Sequence, residues 1–101
     1  MRDATTMISF TVRMKFRSDD RQRVHELLTT LAQESRQEPG CVAYIPHTVD
    51  GEPDTVVIYE QYRDQQALDA HRASKHFRDC VVGGLYQLML DRQVENFTPV
   101  A

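Results

Sequence analysis

The sequence predicts a ferredoxin-like α+β fold of order β-α-β-β-α-β, an antiparallel sheet with its helices on one face. Three observations carry this. Residues 7–16 alternate strictly, with Ile8, Phe10, Val12, Met14 and Phe16 on one side and Ser9, Thr11, Arg13 and Lys15 on the other, the period of a strand with one buried face. Val24, Leu27, Leu28, Leu31 and Ala32 then recur at helical spacing as a single apolar stripe. Two strand-like runs, 41–49 and 55–62, flank the turn-forming stretch Asp50-Gly51-Glu52-Pro53-Asp54 and read as a hairpin.

Ser18 or Asp19 is the expected N-cap of the first helix, since a short polar side chain there can accept from the orphan amides of the first turn. Pro39-Gly40 ends that helix. Pro46 marks the second strand as an edge or a bulged one. The third strand shows little polar alternation before Glu60, so both of its faces are expected to be covered. Asp64 is placed to cap a second helix with Ala67, Leu68 and His71 on one face. A break near Ser74 separates it from a helical stretch through His76, Phe77, Cys80, Val81, Leu85 and Leu88, weakened locally by Gly83-Gly84. Residues 92–100 form the last strand, Val94 alternating with Glu95 and Phe97 with Asn96.

No internal repeat, linker or low-complexity segment interrupts the 101 residues. They read as one domain, 1–101, with residues 1–6 as a flexible start. With both helices on one sheet face, apolar residues remain on the other. That predicts a homodimer packed sheet against sheet.

A net charge of −3 leaves no basic surplus to hold a polyanion, so nucleic acid is not an expected partner. No apolar run approaches the ~20 residues of a membrane span. Met1 to Thr6 lack the apolar core of a signal peptide, and a cytoplasmic location is expected. Cys41 and Cys80 form no C-x-x-C pair and read as half-buried thiols in a reducing compartment.

Phosphate-binding, zinc-protease and nucleophile-elbow motifs are all missing. His71 and His76 are five apart, not the i, i+4 pair of a helical metal site, and no third ligand stands out, so no metal is expected. His71 shares the inward face of Leu68 and Ala67. It reads either as a core histidine held by one hydrogen bond or as a pocket histidine able to act as a base near neutral pH. Glu60 interrupts an apolar strand. A covered carboxylate needs a partner, either an arginine or a histidine or substrate hydroxyl that it orients. Glu60 and Tyr62 share one strand face and Tyr59 points the other way. Tyr44, Tyr59 and Tyr62 therefore do not all line one cavity. His76 is placed at the helix start or the pocket mouth. His47 and His25 read as solvent-facing. Arg13, Lys15 and Arg92 are ordinary surface charges unless a phosphorylated ligand lies near them.

Glu38-Pro39-Gly40-Cys41-Val42-Ala43-Tyr44, followed by Tyr59-Glu60-Gln61-Tyr62-Arg63-Asp64 and by Ala67, His71, Ser74, His76 and Phe77, resembles the antibiotic biosynthesis monooxygenase family. The similarity runs from about Ile8 to Phe97 and points to its small quinol-monooxygenase-like and autoinducer-2-processing-like members. The resemblance implies a dimeric α/β barrel. It also implies oxidation of a quinol or phenolic, anthrone-like substrate by molecular oxygen, with neither flavin nor metal and no other cofactor. His71 would be the base, with Glu60 and Tyr62 beside it in the catalytic set. Tyr44, His76 and Phe77 would contact the substrate, a tyrosine hydroxyl or His76 acting as donor. The autoinducer-2 subgroup implies a different outcome, an isomerase-like proton shuffle on a small, phosphorylated carbonyl compound. A non-catalytic ligand-binding module is a third alternative. Haem-degrading relatives share a helix tryptophan and a ligating histidine. This chain has no Trp, and the corresponding positions fall near His71 and Val81, so no haem is expected.

Overall fold

The structure, a computed structural model, describes residues 6–101. The flexible start expected over residues 1–6 lies, for residues 1–5, outside them. The element order is β1 (Ile8–Lys15), α1 (Arg21–Ser35), β2 (Cys41–Val49), β3 (Glu52–Tyr62), α2 (Gln65–Arg72), a π-helical segment (Phe77–Leu85), α3 (Tyr86–Leu88) and β4 (Asp91–Phe97). The strands form one antiparallel sheet in the order β2-β3-β1-β4. This is the ferredoxin-like α+β arrangement.

Phe10, Val12, Met14 and Phe16 from the first strand and its end meet Val56, Ile58 and Tyr62 of β3 under the apolar stripe of α1. Every stripe residue that the periodicity selects, Val24, Leu27, Leu28, Leu31 and Ala32, is buried. Register places Phe10 opposite Glu60 and Ile8 opposite Tyr62, so both polar side chains lie on the helix-covered face.

Several boundaries differ from expectation. Neither Ser18 nor Asp19 caps α1. A 3₁₀ turn over Ser18–Asp20 leads into the helix, and the preceding residue, Asp20, makes no side-chain cap bond. The turn closes through the Asp20 amide to Arg17 carbonyl bond of 3.0 Å. The helix stops at Ser35, before Pro39-Gly40, because the Gln37 and Glu38 amides turn back onto Glu34 and Ser35. β3 starts at Glu52, not Thr55, since Asp50-Gly51 alone reverses the chain with Gly51 at φ 79°, a conformation glycine adopts without cost. The last strand ends at Phe97, short of residue 100.

Pro46 does lie on an edge strand, and β2 carries two register irregularities, between Cys41 and Ala43 and between Thr48 and Val49. The open face of β3 is only half covered within one chain: Val57, Tyr59 and Gln61 are partly exposed. Exposed Ile45 and Phe97 share that open face, paired with Tyr59 and Ser9. The stretch weakened by Gly83-Gly84 winds as a π-helix, with the Tyr86 amide bonded to the Val81 carbonyl. π-helical windings are rare and often accompany functional sites. No helix among the described residues is long and apolar enough to cross a membrane.

Candidate active site

His71 stands in the last turn of α2 and is 2% exposed. Its depth follows from local chemistry. Asp64 caps α2 by accepting from the Ala67 amide at 2.9 Å. Leu68 and His71, three apart, then share the inward face. Gly40 fixes how closely α2 lies on the preceding turn. A Cβ at residue 40 would stand 2.3 Å from the Ala67 Cβ, so only glycine permits that approach. The Arg63 amide donates to the Gly40 carbonyl at 2.9 Å and the Arg63 guanidinium to the Pro39 carbonyl. The Glu38-Pro39-Gly40 turn is thereby held against α2.

The consequence is a contact that spacing along the chain does not show. Glu38 Oε2 lies 2.9 Å from His71 Nδ1 and 2.5 Å from His76 Nε2. A carboxylate can only accept, so both nitrogens carry the hydrogens of these bonds. The break at Ser74 lets histidines five apart converge. Ser74 Oγ donates to the His71 carbonyl at 2.6 Å and accepts from the Phe77 amide at 3.2 Å, closing one helix and opening the next.

With Nδ1 engaged by Glu38, His71 turns Nε2 toward Glu60 Oε1, 3.8 Å away. That is too long for a hydrogen bond and suits an intervening water or hydroxyl oxygen. Tyr62 Oη donates to the same Glu60 oxygen at 2.6 Å. The partner of Glu60 is thus a tyrosine with a nearby histidine; no arginine pairs with it among the described residues. Tyr44, Tyr62 and Phe77 stand around His71 with ring centroids 5.6, 5.1 and 5.3 Å away. His71 and Glu60 line a partly open cavity of about 40 Å³, walled by Tyr44, Phe77 and aliphatic residues of β1 and β3. An apolar cavity that takes up benzene is about 150 Å³, so a ring-sized ligand requires the mouth to widen.

Burial governs the charges here. It lowers the His71 imidazole below its usual value, outweighing the opposing pull of Glu38. Burial also pushes the Glu60 carboxyl up to about 7, against the Tyr62 hydrogen bond and the more distant Arg72 and Arg92. Tyr44 and Tyr62 are driven far up by burial, then by Glu60, so they act as hydroxyls. The Cys41 thiol is raised to about 11, mainly by burial, which makes it a poor nucleophile.

All six predicted site residues gather here. His71, Glu60, Tyr44 and Phe77 line the cavity, Tyr62 lies buried beside it against Glu60 and His71, and His76 sits behind His71 on Glu38. Sequence reasoning missed Glu38, although Glu38-Pro39-Gly40 was visible. The expectation that no third donor accompanies the two histidines is therefore corrected: Glu38 completes a group whose ligand atoms lie within 4.8 Å of one another. Arg92 is exposed, as expected, but it also reaches the cavity. It pairs with Met14 on the helix-covered face, its guanidinium 5.4 Å from the Tyr86 ring centroid, and with Arg72 it lines the cavity. Exposed His25 and His47 stay outside, as expected, His47 Nδ1 lying 3.2 Å from the Val57 carbonyl.

The family model for antibiotic biosynthesis monooxygenases matches residues 7–82. The chain belongs to the antibiotic biosynthesis monooxygenase family. A Mycobacterium tuberculosis protein whose name proposes it as a monooxygenase is 34% identical over 74 residues, 72% of this chain and 71% of that protein. A Bacillus subtilis protein similarly named is 30% identical over 78 residues, 77% of this chain and 82% of its own length. A crystal structure from Bacteroides thetaiotaomicron described in the same family terms superposes with TM-score 0.89 at 23% identity, covering 98% of this chain and 94% of that one. At that identity it bears on the fold alone. Family membership and these names support a monooxygenase-like enzyme acting on a small molecule.

Proposed function

We propose that this chain is a cofactor-independent monooxygenase that oxidises a small quinol or phenolic, anthrone-like substrate with molecular oxygen after deprotonation by His71. The observation that carries the reading is the Glu38–His71–Glu60 line. Glu38 accepts a hydrogen bond from Nδ1–H, which leaves the Nε2 lone pair directed at the cavity. A neutral imidazole held in one tautomer by a carboxylate is poised as a general base. A substrate hydroxyl or activated CH that bridges the two from the cavity side meets both Nε2 and Glu60.

Removal of that proton makes the substrate an electron-rich anion, stabilised by hydrogen-bond donation from protonated Glu60. The anion passes one electron to oxygen, and the resulting pair recombines as a peroxide. Loss of water then leaves a new carbonyl, with one oxygen atom in the product and one in water. His71 returns its proton to the departing oxygen. Tyr44 and Phe77 supply the apolar wall that limits water around these species.

A homodimer packed through the open sheet face belongs to this proposal. Val57, Tyr59, Ile45 and Phe97 on that face support it.

One observation favours a second reading. Arg72 and Arg92 line the cavity and make no ion pair within 4 Å among the described residues, as would suit an anionic group on a small carbonyl compound. The same base would then shuttle a proton in an isomerase-like reaction, without oxygen.

Oxygen consumption by metal-free protein with a panel of quinols and anthrones separates the two. The monooxygenase reading expects uptake that requires both protein and substrate, with one oxygen consumed per carbonyl formed. Uptake absent across the panel, with solvent deuterium entering a phosphorylated hydroxyketone, would replace it with the isomerase reading.

A further inference from the structure

We propose that Glu38, His71 and His76 bind a single divalent transition-metal ion of the zinc class, and that its occupancy switches off His71 as a base. Binding stands on geometry alone; the inhibitory consequence rests on the base reading above.

Two imidazoles and one carboxylate are a common ligand set for such ions. Here they come from three separate places, the turn after α1, the end of α2 and the start of the π-helical segment, and they converge with all ligand atoms within 4.8 Å. Glu38 and His76 side chains are 16% and 17% exposed, and His71 is 2% exposed. The group is thus enclosed yet reachable from the His76 side. A second observation is independent of that convergence. Glu38 Oε1 is buried and has no hydrogen-bond partner among the described residues, although such an atom normally finds one. A cation beside Oε2 would give this oxygen a partner as well.

The fit requires modest side-chain movement. Metal–ligand bonds of about 2.0–2.2 Å in tetrahedral geometry separate the donor atoms by roughly 3.3 Å. The present contacts of 2.9 and 2.5 Å to Oε2 would open by less than an ångström, and the two imidazole nitrogens, within 4.8 Å of each other, would close by up to about 1.5 Å. A solvent molecule would fill the fourth position.

The site's place relative to the cavity decides what the ion does. The cavity is lined by His71 and Glu60, but not by Glu38 or His76. The ion therefore lies behind the imidazole, on its Nδ1 side, away from the 3.8 Å gap where the substrate proton is taken. Coordination needs the Nδ1 lone pair, so the ring's single proton moves from Nδ1 to Nε2. The nitrogen facing the cavity then carries hydrogen and accepts nothing. The His76 proton moves likewise from Nε2 to Nδ1, and no net proton is released.

The test uses untagged, metal-free protein titrated with Co²⁺, followed by its visible ligand-field bands and by competition with Zn²⁺. The expected result is one equivalent bound per chain at micromolar or lower concentration. Loss even of residues that only support a ligand costs about 10–100-fold in affinity, so Glu38→Gln and His76→Ala should each weaken binding by roughly 100-fold or more. His47→Ala, an exposed histidine outside the group, should bind as before. No binding below millimolar Co²⁺, or binding lost with His47→Ala and kept with His76→Ala, would overturn the site. In the oxygen assay, Zn²⁺ should abolish uptake and a chelator restore it; uptake that rises with Zn²⁺ would overturn the inhibitory role. Absence of uptake in metal-free protein instead counts against the base reading, and the Co²⁺ titration still judges the site.

Discussion

Replacing His71 with alanine is expected to cut turnover by about 10²–10⁴-fold, the range that a positioned acid–base group contributes. The side chain is almost completely enclosed by Tyr44, Tyr62 and Phe77. Its removal leaves a void and deprives Glu38 of one of two donors. The alanine variant should therefore melt lower than the parent while keeping its near-ultraviolet spectrum. His71→Gln fills more of the space but offers no basic nitrogen, so it should recover stability and not activity. A glutamine variant with full turnover would show that another group removes the substrate proton.

Replacing Glu60 with glutamine is expected to change how stability depends on pH. The buried carboxyl has its folded-state value raised from 4.5 to about 7. Above 4.5 the unfolded chain gives up this proton while the folded chain keeps it. Stability therefore falls as pH rises from about 4.5 to about 7 and is level beyond. The shift corresponds to up to ~3 kcal/mol at about 1.4 kcal/mol per pH unit. His71 works in the opposite sense, since its folded value is lowered: its contribution is present above about 6.5 and is lost as pH falls through the folded value. The two trends overlap, so the difference between parent and Glu60→Gln is the informative quantity. Denaturant midpoints compared across pH 4 to 8 should show the variant gaining on the parent through this window. A difference that stays constant would mean that Glu60 ionises normally in the folded protein.

How far the sequence alone reaches can be read from particular residues. The period-two run from Ile8 to Phe16 and the stripe from Val24 to Ala32 each encode one buried face, and both faces are where the pattern puts them. The Asp64 cap is equally local and holds as read. Boundaries set by competing turns were less legible. The first helix begins with a 3₁₀ turn that propensity does not distinguish from a capped start, and Asp50-Gly51 turns the chain using fewer residues than composition suggested. His71 was visible because Ala67 and Leu68 fix its face. Glu38 was not, since its role depends on the Gly40–Ala67 contact across the fold. Arg92 was hidden for a similar reason: its face is set by pairing with Met14, a register that a polar, exposed strand does not declare.

As the base, His71 must be a neutral imidazole, protonated on Nδ1 and open at Nε2. Imidazole ¹⁵N correlation spectra of the metal-free protein at pH 7 test it most directly. A proton is expected on the nitrogen bonded to Glu38, with a bare nitrogen toward the cavity. A proton on Nε2, alone or together with one on Nδ1, would contradict it and remove His71 as the base.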